Sequence, residues 1–189
     1  SITMSVIRNS RPFIVQVHVY NNYLSDNADV DSLEKEFAAY EDMSLKDYQI
    51  SFNLTEYLDF SGSDEASYTS MMKVMAMAAH DLDVLGGNTA FVNYYGVGEE
   101  DNTLFADLEE TLPPAFFQYL KEQDRILYLS RTDEAGKVLG QYAAAIDVSD
   151  TRIVNKNCLL GTPCYLGIAV NTSRLQTSID FLEWIFDYQ

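Results

Sequence analysis

The stretch "DLDVLGGNTAFVNYYG", residues 81–96, decides how the chain is read. Leu82 to Gly87 is a short apolar run that stops at two glycines, the form of a buried strand. The residues before it are helical in pattern. "SGSDEASYTSMMKVMAMAAHD", residues 61–81, opens with a capping serine and two acids, whose charge complements a helix dipole. Tyr68, Met71, Met72, Met75 and Ala79 then recur at helical spacing and predict a broad apolar face. Upstream, "PFIVQVHVY" (12–20) is rich in Val and Ile and starts behind Pro12, while "YQISFNLTEYL" (48–58) alternates; both predict strands. Between them, residues 32–41 place Leu33, Phe37 and Tyr40 on one helical face. Asp31 stands at the N-cap position there, with Glu34 three residues on, as in a capping box. Residues 12–87 therefore predict β-α-β-α-β, a parallel sheet covered by helices.

Residues 88–189 are mixed. "DNTLFADLEETL" (101–112) and "PPAFFQYLKEQ" (113–123) predict helical pieces, the second opening on prolines. "RILYLS" and "VLGQYAAAID" are β-like runs around "RTDEAGK", where Gly136 suits a hairpin turn. "CYLGIAV" (164–170) predicts another strand. "NTSRLQTSIDFLEWIFDYQ" (171–189) closes the chain as an amphipathic helix, with Leu175, Ile179, Leu182 and Phe186 on one face. No repeat, low-complexity tract or long linker interrupts the pattern. The expectation is a single compact α/β domain over residues 1–189, with a mostly parallel sheet, flanking helices and an additional antiparallel strand pairing.

Composition narrows the function. The chain has 29 acids against 12 bases, a formal net charge of −17, and is 47% apolar. It therefore has a core to bury. Nucleic acid needs cations facing phosphates, and an anionic membrane surface repels this charge, so neither is an expected partner. No apolar run approaches the roughly 20 residues of a membrane span. The chain opens at Ser1 with no initiator Met, which suggests either a trimmed sequence or a processed protein and leaves room for a lost N-terminal leader or anchor. Cys158 and Cys164, in "CLLGTPC", can be read as a small disulfide loop in an oxidising compartment or as two buried thiols flanking a turn, with a slight lean to the thiols.

Catalytic chemistry is sparse. His18 lies in an alternating strand and His80 near a helix C-terminus, where the dipole favours a cation, so both read as structural. No nucleophile elbow, phosphate loop, zinc motif or calcium loop occurs, and no dinucleotide fingerprint follows the glycines. The expectation is no catalytic residue, no metal and no cofactor. Met71, Met72, Met75 and Met77 lie far in sequence from any Cys and read as filling gaps beneath a sheet. Asn53-Leu-Thr55 and Asn171-Thr-Ser173 are glycosylation sequons, relevant only in a eukaryotic secretory host.

Three segments in order resemble extracellular solute-binding proteins of ABC importers. They are "SYTSMMKVMAMAAHDLDVLGGNTAFVNYYG" (67–96), "TLFADLEETLPPAFFQYLKEQ" (103–123) and "YLGIAVNTSRLQTSIDFLEWIF" (165–186), so that the resemblance runs through a span of about two thirds of the chain. The resemblance implies a fold like one lobe of a periplasmic binding protein and a non-catalytic, extracytoplasmic binding role. The departure is length: about a dozen residues separate "YAAAIDVSD" from "CYLGIAV", where the family places most of a second lobe.

In open parallel sheets, ligands sit at the carboxyl ends of strands. Those ends here are Tyr20-Asn21-Asn22, Gly86-Gly87-Asn88-Thr89 and Asp147-Val148-Ser149, and the ligand-binding residues expected there and just beyond are Tyr20, Asn21, Asn88, Thr89, Asn93, Tyr94, Asp147 and Ser149. Gly86 and Gly87 would let backbone approach a ligand closely. This set suits a small neutral polar ligand such as a sugar or peptide. A plainer reading of the opening stretch is preferred: the glycines turn the chain, Asn88 or Thr89 caps a helix, and Phe91, Tyr94 and Tyr95 pack in the core. The alternative role is a structural or protein-interaction domain that kept the fold and lost the pocket.

Overall fold

The sheet grows outward from β1 (Phe13–Tyr20), whose valines and isoleucine are buried on both faces, as a central parallel strand requires. The computed structural model describes residues 10–161 and 163–189; the reading of Ser1 as a processed start falls outside them. β1 pairs in parallel with β3 (Gln49–Glu56) on one side and with β4 (Val84–Gly87) on the other. Helix α1 (Val30–Tyr40) crosses from β1 to β3, and α2 (Glu65–Ala78) from β3 to β4. The predicted β-α-β-α-β unit is thus present, and its strand tips share one edge.

The second half adds antiparallel strands. β5 (Ile126–Thr132) and β6 (Val138–Asp147) form the expected hairpin, with Gly136 at φ +85° in its turn. β8 (Tyr165–Ile168) inserts between β4 and β6 and runs antiparallel to both. Among the described residues the main sheet has six strands in the order β3-β1-β4-β8-β6-β5. Four of them point the same way, but three of the five pairings are antiparallel, more than the single additional pairing expected. The two-residue strands β2 (Tyr23–Leu24) and β7 (Leu159–Leu160) pair separately.

Helices cover both faces, giving one α/β domain of three layers. Val15, Val17 and Val19 point to the face packed by α1, by α4 (Leu108–Thr111), by α5 (Pro114–Glu122) and by α6 (Leu175–Ile185). There Phe37, Phe52, Phe181 and Trp184 form one aromatic cluster. Tyr20 and Leu85 point to the other face, against Val74 and Ala78 of α2 and Phe91 and Tyr95 of α3 (Thr89–Gly96).

Several local expectations are corrected. Asp29, not Asp31, caps α1 by accepting from the Ser32 amide at 3.0 Å. Glu34 leaves the cap altogether and accepts from the Phe52 amide at 2.9 Å, occupying a donor on the edge strand β3. Asp64, not a serine, caps α2. Residues 101–112 hold only a 3₁₀ turn, Glu100–Asn102, and the single turn α4, because Phe105 bridges to Ala169 and extends the chain between them. The closing helix is shorter than expected and leaves Leu175 exposed. Cys158 and Cys164 are free buried thiols, which burial pushes up to about 11 and about 12.

Glu41, at the end of α1, is pushed from its ordinary 4.5 up to about 8 by burial and by a hydrogen bond and charge repulsion from Asp180, with Glu183 adding. A raised carboxyl binds its proton more tightly in the folded state, so its contribution is full below pH 4.5 and is lost as pH rises through 8. Glu41→Gln is therefore expected to stabilise the protein at pH 9 by on the order of 1 kcal/mol, after allowance for solvent screening, and to change little at pH 4.5. Urea titrations at the two pH values measure this.

Candidate functional site

The carboxyl ends of β1, β3 and β4 are held together by asparagines. Asn21 takes up a left-handed conformation, φ 61°, that its short polar side chain tolerates. Its side chain accepts from the Leu58 amide at 2.8 Å and donates to the Leu58 carbonyl at 3.0 Å, fastening β1 to the segment after β3. Asn88 caps α3 by accepting from the Phe91 amide at 3.1 Å, and its Oδ1 lies 3.5 Å from Asn21 Nδ2. Backbone groups freed where the strands end are thus met by side chains.

Above this rim lies an open cavity of about 720 Å³. Asn21, Asn22, Tyr23 and Leu24 form one wall; Glu56, Tyr57, Leu58 and Phe60 form the second; Asn88 and Ala90 form the third. Half of the lining residues are apolar or aromatic and half are polar, Thr55 and Ser61 among the latter, a mixture of apolar faces and hydrogen-bonding groups found in small-molecule sites. Asn22 is 7% exposed; its Nδ2 donates to the Tyr20 carbonyl at 3.2 Å, and its Oδ1 is buried with no hydrogen-bond partner in the protein.

A second pocket of about 120 Å³ adjoins it, sharing Glu56, Tyr57 and Leu58. It is closed on its far side by Ser70, Lys73, Val74 and Met77 of α2. Tyr20 lines it, 1% exposed, with a hydroxyl that also lacks a partner. Burial, aided by the Glu56 charge, raises this phenol, which therefore stays protonated and able to donate. His18, two residues earlier on the same sheet face, has a buried Nδ1 without a hydrogen bond, 3.8 Å from Glu56. Burial lowers this histidine against the opposing pull of Glu56 and Asp83. Buried polar groups left without partners cost about 1–3 kcal/mol each, and three of them cluster at the end of β1.

No protein-family model, curated protein or solved structure matches this chain.

The sequence-predicted residues divide into three groups. Asn21 and Asn88 line the large cavity, and Tyr20 lies beneath it, stacked on Phe91 at 4.6 Å. Thr89 and Asn93 are exposed on α3 outside the lining; Tyr94 stands with them, half exposed, its ring 5.1 Å from that of Phe60. Asp147 and Ser149 share the sheet edge but sit beyond β8, bonded to one another at 2.7 Å and held by Arg125. From the opening stretch, Asn88 is the cap and Phe91 and Tyr95 are buried, while Tyr94 is not. The glycines serve the sheet: a Cβ on Gly86 would lie 1.8 Å from the Tyr165 carbonyl oxygen, and one on Gly87 2.2 Å from that of Tyr20. Sequence reasoning placed Asn22 at a strand end without assigning it to the ligand, and it missed Tyr23, Tyr57 and Phe60. The end of β3 obeys the same carboxyl-edge rule as the others, so "TEYLDF" carried the signal.

Among the described residues there is no cluster of three or more metal-ligating side chains, and no helix is long and apolar enough to cross a membrane.

Proposed function

We propose that this protein is a non-catalytic, extracytoplasmic binding domain, related to solute-binding proteins, that takes a small neutral polar ligand such as a sugar or short peptide at the carboxyl edge of β1, β3 and β4. The observation that carries this reading is the pair of adjoining cavities at that edge, with Asn22 Oδ1 and the Tyr20 hydroxyl buried beside them and unpaired. One is an acceptor and the other a donor held in its protonated form, so a hydroxyl or amide group satisfies both kinds. Tyr23 and Tyr57, each about three-quarters exposed, supply flat apolar faces beside them. Glu56 in the wall and the net charge of −17 disfavour an anion.

A thermal-shift panel of neutral mono- and oligosaccharides, amino acids and short peptides tests this. A ligand that binds only the folded state raises the melting temperature in proportion to the logarithm of its excess over Kd. Saturable stabilisation by at least one neutral compound is expected. Tyr57→Ala, at an exposed wall position, is expected to weaken that compound tenfold or more while shifting unliganded stability by less than about 0.5 kcal/mol. A flat response across the panel contradicts the proposal.

A further inference from the structure

Met72 and Met75 lie outside the ligand cavity and the small pocket beside it, whereas Met77 lines the latter. Tyr68, Met72 and Met75 of α2 and its C-cap residue Ala79, which keeps helical backbone angles, fall within an arc of about 60° at 100° per residue. Sequence periodicity assigns this stripe to the core, yet the helix buries Val74 and Ala78 instead, and the stripe faces solvent. Tyr68 is 62% exposed, Met72 43% and Met75 37%. The stripe continues into a groove of about 340 Å³, where Met75, Ala79, Leu104 and Val170 meet the acidic turn Glu100–Asn102. This groove lies on the flank of α2 away from the Ser70 and Lys73 side that closes the small pocket.

We infer that this face is a docking surface for a partner protein presenting a basic amphipathic helix. The stripe is about 16 Å long, three turns of helix. Methionine is flexible and polarizable, and it suits a surface that must fit a ligand side chain by repacking. Glu100 and Asp101 edge the groove and supply charge opposite to a basic segment. A second copy of the chain is a poor occupant, because each copy carries a formal charge of −17. An anionic membrane surface fails for the same reason.

The test uses a synthetic 14-residue Leu/Lys helical peptide and its Leu/Glu counterpart, titrated at 150 mM salt by fluorescence anisotropy. Saturable micromolar binding of the Leu/Lys peptide is expected, with none for Leu/Glu. The double variant Met72→Ser, Met75→Ser keeps every charge and is expected to weaken binding at least tenfold. Glu100→Gln with Asp101→Asn is expected to weaken it about threefold and to flatten its salt dependence. Tyr57→Ala is expected to leave it unchanged, which separates this surface from the ligand cavity. Equal binding by the methionine double variant, with melting temperature unaltered, would show charge attraction alone and overturn the inference. So would a concentration-dependent dimer in sedimentation that the double variant abolishes, since the occupant would then be a second copy.

Discussion

Gly86→Ala is expected to destabilise the fold by about 3 kcal/mol or more, an extreme result for adding one methyl group. The added carbon would lie 1.8 Å from the Tyr165 carbonyl oxygen and 2.9 Å from the Leu166 Cα, both backbone atoms of β8. A flexible side chain could move aside; a paired strand cannot move without breaking its ladder to β4 and β6. For a chain of this size, each kcal/mol lowers the melting temperature by roughly 2–4 °C, so a drop of about 6–12 °C is expected in calorimetry. Gly136→Ala is the control. Its Cβ would meet nothing within 4 Å, so only its φ of +85° opposes the change and the cost is about 1 kcal/mol. Equal effects at the two sites would mean that β8 does not pack against β4 as described.

The second large effect is expected at Asp83, which is fully buried at the start of β4. Its carboxylate accepts from the Gln16 amide at 2.7 Å, from the Thr172 hydroxyl at 2.6 Å and from Arg174 Nε at 2.7 Å. These bonds tie β1, β4 and the turn entering α6 to a single group. Breaking a buried pair from one side leaves the other charge uncompensated, so Asp83→Ala and Arg174→Ala are each expected to cost about 3–5 kcal/mol. The double variant is expected to cost clearly less than the sum, because the pair is lost only once. Chemical denaturation of the four proteins measures the cycle. Strict additivity would show that the two side chains act independently.

How much of this was legible follows from the kind of signal each element carries. β1, β3 and β4 alternate with helical segments, and that order implies parallel neighbours with their tips on one edge, as found. β8 was legible as a strand but not in its direction: "YLGI" is a short apolar run whose pattern is the same whichever way its neighbours point. The α2 stripe was misassigned because Met and Tyr score as core residues wherever they fall. The face that docks is chosen by Val74 and Ala78, small enough to bring the helix close to the sheet. Asp29 and Asp31 both fit a helix start, and only the Ser32 amide separates them. At the site, Asn21 and Asn88 were legible from strand ends, but their hydrogen bonds turn out largely to hold the rim, while the unpaired Asn22 oxygen depends on a side-chain orientation that no pattern encodes.

The most direct measurement is a map of backbone amide NMR shifts during titration with the tightest compound from the saccharide and peptide panel. Binding at the carboxyl edge is expected to move the amides of residues 21–24, 55–61 and 88–90 together, saturating with one constant, while α6 and the β5-β6 turn stay still. Shifts confined to another surface, or no saturable shift with any compound, would contradict a ligand site at the end of β1, β3 and β4.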